Sequence, residues 1–167
     1  MSRADYDAWR RGRSALDRTD DPAKDVYQRI LRDEIGPALR AVGARGSSGR
    51  FAMPSATHWA QLTFQKSSWN EADALAFTIN LLVIRRDAWA SIVARDPWMG
   101  KEPSATSHIG PPAAQTRIGF LRPAGTDHWW ELTTGAPVEP VLDEVMSDIF
   151  CLALPWLDAQ TAALGRP

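Results

Sequence analysis

The chain has 167 residues, of which 44% are apolar and 23% charged, with a formal net charge of −1 at pH 7. That is enough for one domain with a real core, and the balance of charge excludes a broad basic field that would gather nucleic acid or anionic lipid. The only cysteine, Cys151, excludes an intrachain disulfide and a cysteine-built zinc cage and suits a reducing compartment.

Residues 1–19 carry Arg3, Arg10, Arg11, Arg13 and Arg18 among Asp5, Asp7 and Asp17, and read as a flexible arginine-rich arm. Tyr6, Trp9, Arg13 and Leu16 share a helical stripe that admits a short amphipathic helix, weakened by Gly12. Five arginines against three aspartates leave a net of only +2, so nucleic acid is a disfavoured partner. The opening segment is polar and no apolar run approaches the length of a membrane span. The expectation is a cytoplasmic protein with no membrane partner.

A firmer helix begins at Asp20 or Asp21, an N-cap carboxylate ahead of Pro22 at the first helical position. Val26, Ile30, Leu31, Ile35, Leu39 and Val42 recur at helical spacing, with a kink or restart expected at Gly36-Pro37 and a stop at Gly43. After a turn over 46–49 the period changes. Residues 50–53 read as a short strand, and 57–66 alternate with Ala60, Leu62 and Phe64 on one side and Trp59, Gln61, Thr63 and Gln65 on the other. Residues 74–84 alternate again, with Leu75, Phe77, Ile79, Leu81 and Val83 set against Thr78, Asn80 and Leu82. Keeping both apolar faces together pairs Phe64 with Phe77, Leu62 with Ile79, Gln61 with Asn80 and Trp59 with Leu82.

Residues 86–95 suit a short helix, and 96–116 are too rich in proline and glycine to be regular; such loops are functional or disordered. A second hairpin is expected from 117–122 and 128–133, with Phe120 beside Trp130 and Ile118 beside Leu132. The last helix, 137–157, presents Val138, Val141, Leu142, Val145, Ile149, Leu152 and Trp156 as an apolar stripe, with Pro155 ending or bending it. The order predicts an α+β fold: an antiparallel sheet of four to five strands with N- and C-terminal helices packed on one face. The domain is expected over 20–160, followed by a tail over 161–167.

Phe64-Gln65-Lys66-Ser67-Ser68-Trp69-Asn70 and Phe77-Thr78-Ile79-Asn80-Leu81 form a pattern with Arg117-Ile118-Gly119, Trp129-Trp130-Glu131-Leu132 and Leu154-Pro155-Trp156-Leu157. Over residues 22–160 this resembles the uncharacterised bacterial family called domain of unknown function 4304. The chain departs from the family's pattern at Gly43-Ala44, where Gly-Phe is usual, and in its proline-rich 96–116 segment. The resemblance implies a bacterial α+β domain and supplies no catalytic or ligand residues.

Stacking the expected strands gathers Trp59, Gln61, Thr63, Gln65, Thr78, Asn80, Arg117, Trp129, Glu131 and Thr133 on one sheet face. This is either a solvated polar face or the floor of a ligand site. Asn80 is unusual inside a strand, and either pins register, with Gln61 as partner, or binds a ligand. Arg117 and Glu131 are expected to pair on a diagonal of the second hairpin. His58, His108 and His128 lack metal-ligand spacing and Cys151 reads as a small hydrophobe, so no metal and no cofactor are expected. No nucleophile elbow, phosphate loop or dinucleotide fingerprint is present, and no catalytic residue is assigned. Trp69 and Trp98 fall in loops, where tryptophan anchors interfaces.

These features favour a protein-interaction module, of the immunity or partner-neutralising kind, with another protein as partner. The alternative is a small-ligand domain or enzyme using the polar sheet face. Gln65, Trp69, Asn80, Trp98, Arg117, Trp129 and Glu131 are the candidate binding residues.

Overall fold

In the computed structural model, residues 3–11 and 20–165 are described. A six-stranded antiparallel sheet runs β1 (Arg45–Ser47), β2 (Arg50–Met53), β3 (His58–Lys66) and β4 (Ala74–Arg85), and both β5 (Ala114–Arg117) and β6 (Trp130–Thr133) pair with the far edge of β4. The alternation sorts as its period demands. Leu62 and Phe64 of β3, with Leu75, Phe77, Ile79, Leu81 and Val83 of β4, lie in one core under the N- and C-terminal helices. Trp130 stacks on Phe77, with ring centroids 5.6 Å apart.

Helical segments from both ends of the chain cover that core. α1 (Arg3–Arg11), α2 (Ala23–Arg29) and α3 (Gly36–Ala41) come first; α4 (Arg86–Arg95) follows β4 directly and lies on the other face, and α5 (Glu139–Asp148) and α6 (Leu154–Leu164) follow β6. Between α2 and α3, and again between α5 and α6, the helix passes through a π turn, Ile30–Ile35 and Ile149–Ala153. Pro37 and Pro155 each stand at the second position of the segment that follows. A proline ring collides with the carbonyl four residues back and donates no hydrogen bond. The wider π turn removes that collision, so the chain continues without a break. The restart expected at Gly36-Pro37 takes this form. At Pro155 the helix neither stops nor gives way to a tail, but continues to Leu164.

Four further expectations are corrected. Residues 3–11 are not a loose arm: they form α1, Tyr6 is buried in the main core, and Arg10 pairs with Asp143 at 3.3 Å. Arg13, Leu16 and Arg18 lie outside the described residues. Pro22, rather than an aspartate, caps α2, while Asp21 pairs with Arg29 at 2.6 Å.

The β3–β4 register is shifted by two residues, so Phe64 faces Ile79, Thr63 faces Asn80, Gln61 faces Leu82 and Trp59 faces Ile84. A shift of two keeps every side chain on its expected side. The second hairpin does not form. Ile118–Leu121 is a 3-10 turn, Phe120 points to solvent, and β5 and β6 lie end to end along β4 without pairing to each other. A strand of 12 residues has room for two four-residue partners in tandem.

The reverse face of the sheet is not bare. α4 and the 96–116 loop cover part of it, enclosing a second cluster of Leu82, Ile84, Trp89 and Ala105, with Trp59, Ile92, Met99 and Ile109 packed around it. Among the described residues no helix is long and apolar enough to cross a membrane.

Candidate functional site

The polar residues of the reverse face fall on the side that alternation assigns them, and they form a network. Asn80 Nδ2 donates to Gln65 Oε1 at 2.8 Å, and Arg117 Nε lies 3.4 Å from Asn80 Oδ1. Arg117 Nη1 meets Asp127 Oδ2 at 2.6 Å, and the same oxygen accepts from Trp129 Nε1 at 2.9 Å. The guanidinium carbon also lies 5.2 Å from the centre of the Trp129 ring. Arg117 therefore pairs with Asp127 and not with Glu131. Glu131 stands exposed on β6 and accepts a bond from Thr133. Gln61 is not the partner of Asn80; its Oε1, with Thr63 Oγ1 and Thr78 Oγ1, is buried without a hydrogen bond among the described residues.

Gln61, Thr63 and Asn80 are only 4%, 8% and 7% exposed, so this part of the face is filled rather than an open floor for a ligand. The chemistry of the network is structural pairing: one guanidinium satisfied by a carboxylate and an amide, with an indole stacked beside it.

Trp69 and Trp98 stand outside this strip. They are 89% and 81% exposed, while the other six tryptophans are buried or half-buried. Trp69 sits in the loop closing the β3–β4 hairpin, where Ser67 Oγ accepts from its backbone N–H. Trp98 follows α4, which leaves the opposite end of the same hairpin. The seven candidate residues therefore divide into a satisfied network, two separate exposed indoles, and Glu131 alone.

Trp98 rests on an anchored loop. Trp89 Nε1 donates to Lys101 O at 3.1 Å, and Arg50 reaches Pro103 O at 3.1 Å. Gln115 clamps the far side of the loop, accepting from Ile109 N at 2.8 Å and donating to Ser107 O at 2.8 Å. A cleft of about 210 Å³ opens beside Trp98 against Met99, His108 and Ile109.

A further cluster had no place among the expectations. Arg122 pairs with Glu144 and lies 2.8 Å from Asp148 Oδ2, at a concavity of about 400 Å³ shared with Gly119, Thr126 and His128. Burial lifts the Asp148 carboxyl to about 6, Glu144 adds to the rise and Arg122 opposes it. Burial and the charge of Arg122 lower the His128 imidazole. The sequence carries one signal of this cluster: Asp148 interrupts the apolar stripe between Val145 and Leu152. Asp127 carried no such signal, because its partner is ten residues away and across a turn. Among the described residues no group of three or more His, Cys, Asp and Glu side chains could hold a metal ion.

The profile of a family described as domain of unknown function (DUF4304) matches residues 35–159, most of the chain. The chain belongs to the DUF4304 family. Searches of curated proteins and of solved structures matched nothing. Two of the five segments that carry the likeness, 64–70 and 77–81, build the β3–β4 hairpin of this DUF4304 domain. Asn70 brackets Ala76, accepting from its N–H at 2.7 Å and donating to its carbonyl at 3.2 Å, and Ser67 N bonds Ala76 O at 2.8 Å. Gln65 and Asn80 join the two strands just inside that loop. Ala44, just after the first helical run, is buried in the main core.

Proposed function

We propose that this domain is a protein-interaction module of the partner-neutralising kind, which engages another protein through Trp98 and the loop that presents it. The observation that carries this reading is an indole 81% exposed on a loop tied down at Lys101, Pro103 and Ser107. Exposing so much apolar surface stabilises nothing in the free chain. A loop already held in place loses little freedom on binding, so contact energy is not spent on ordering it. Buried tryptophans at the centre of an interface commonly contribute about 2 kcal/mol or more each. Trp69 is the second anchor of the same kind, on a different end of the hairpin.

The test uses the full chain as bait, wild type against Trp98→Ala and Trp69→Ala, followed by binding measurements with the purified captured partner. The expected result is a binary complex that Trp98→Ala weakens roughly thirtyfold, with an unchanged melting temperature, and a partner whose own activity falls on binding. A partner bound equally well by both variants, or no specific partner at all, defeats the proposal.

A further inference from the structure

A concavity lies away from both tryptophans, between the first long helix and the β1–β2 hairpin, and has a volume of about 610 Å³. That falls in the range of small-molecule sites, roughly 300–1,000 Å³. Its apolar lining is supplied by Tyr27 and Leu31 from the helix and by Phe51 and Phe64 from the sheet. Phe51 and Phe64 meet edge to face at 6.5 Å. Burial pushes the Tyr27 hydroxyl up to about 12, so it stays a neutral hydrogen-bonding group.

The rim is cationic. Arg40 and Lys66 line the groove, and none of its lining residues is acidic. Arg32 also lines it but is held by Asp33 at 2.7 and 2.8 Å, which cancels its charge. The other ion pairs of the described residues leave Arg40 and Lys66 with no carboxylate partner. Arg40 is also placed by the backbone. A Cβ on Gly36 would meet Leu31 O at 2.8 Å and the Arg40 guanidinium at 3.1 Å, so glycine at this position leaves room for the guanidinium to lie back along the helix. There it reaches Gly46 O at 3.4 Å, across the groove.

The opposite wall turns through Ser48 and Gly49, at φ 53 and 83. That pair is the two-residue turn whose twist matches the flanking strands. Serine there keeps a hydroxyl-bearing residue at the mouth, where glycine or asparagine would be the easier choice.

We infer that this groove binds a small amphipathic anion, a carboxylate or phosphate carried on an aliphatic or aromatic body. The body would lie on Tyr27, Leu31, Phe51 and Phe64, and the acidic head would meet Arg40 and Lys66. Neither feature alone specifies a ligand. Their combination selects against neutral apolar molecules, which leave the cations unused, and against bare anions, which leave the floor wet.

Calorimetric titration of the full chain with decanoate, naphthoate and naphthyl phosphate tests the inference and separates the two head groups. At least one is expected to bind with a stoichiometry of one, with neutral naphthol about tenfold weaker or worse and inorganic phosphate alone not saturating. Arg40→Gln combined with Lys66→Gln is expected to weaken the best probe at least tenfold or so. Lys66→Gln alone, which breaks no hydrogen bond of the fold, should give part of that loss, and Gln28→Trp on the wall should block binding. Failure of all three probes, binding that ignores both charge substitutions, or saturation by an acidic peptide alone overturns the inference.

Discussion

The two faces of the sheet solve the same problem with different means. The helix-covered face is aliphatic and aromatic along its centre; among the described residues, buried His58 lies at one end of it, near Gly165, and buried Asp148 sits at the margin beside Arg122. The loop-covered face has only four buried apolar residues at its centre, and beside them it buries Gln61, Thr63, Thr78 and Asn80. Helices close over a surface by apolar contact and satisfy their own backbone. An irregular loop cannot do that, so it borrows side chains, and Trp89, Gln115 and Arg50 each bond a loop backbone group. The first face makes the domain. The second holds a loop in one shape, with Trp98 outside it.

By that division, equally buried aromatic residues on the two faces differ in effect. Phe77→Ala removes the ring that touches Tyr27, Phe64 and Trp130. It is expected to cost about 3–5 kcal/mol of global stability, read from the urea midpoint. Trp89→Ala opens a cluster whose loss is capped by the free energy of docking the loop, about 1–3 kcal/mol. Its signature is local: hydrogen exchange and protease cleavage rise within 96–113 while the rest of the sheet stays protected. Equal global losses from the two substitutions would erase the distinction.

Much of the first face was legible in the sequence because its signal is local. Period-two alternation assigned Leu62, Phe64, Phe77, Ile79 and Leu81 to one side, and helical spacing assigned Val26, Ile30, Leu142 and Ile149 to the layer above. Register was not legible. A two-residue shift leaves the same side chains on the same face, so alternation cannot tell Phe64 against Phe77 from Phe64 against Ile79. The pairing of β5 and β6 was hidden for another reason. Four-residue strands carry too little pattern, and a partner far away in sequence, β4, won over the near one. The candidate site suffered most. Burial of Asn80 and Gln61 depends on where the 96–116 loop lies, and its course depends on bonds to Lys101 and Ser107 carbonyls that no side-chain pattern announces.

A smaller effect tests the margin of the helix-covered face. With its carboxyl raised to about 6, folded Asp148 holds a proton that the unfolded chain, with an ordinary carboxyl near 3.8, has released. Its contribution to stability is greatest below the ordinary value, falls as pH rises from about 4 to about 6, and is level above that. The drop is of order 1–3 kcal/mol, since Arg122 opposes the burial that causes it. Subtracting the urea-derived stability of Asp148→Asn from that of the wild type across this range should isolate a curve that declines with pH. A flat difference, or one that rises, means the carboxylate is at home beside Arg122.

The smallest expected effect separates two roles for the polar strip. Asn80→Leu removes the bonds to Gln65 Oε1 and from Arg117 Nε. Arg117 keeps Asp127, and Gln65 is half-buried and able to turn to water, so the net cost is about 1 kcal/mol. The substitution also makes this stretch of the reverse face as apolar as its neighbour Leu82, which offsets part of the loss. If Asn80 held the register, removing it would let Phe64 slide to face Phe77, a shift the apolar pattern permits. The bonds that fix one pairing over the other lie instead in the loop, where Asn70 takes both backbone groups of Ala76. Cross-strand proton contacts measured by NMR should therefore keep Phe64 opposite Ile79 in Asn80→Leu, and show a second pairing in Asn70→Ala. The reverse outcome would move the register pin from the loop into the strip and turn the second face from a lining into a determinant of the fold.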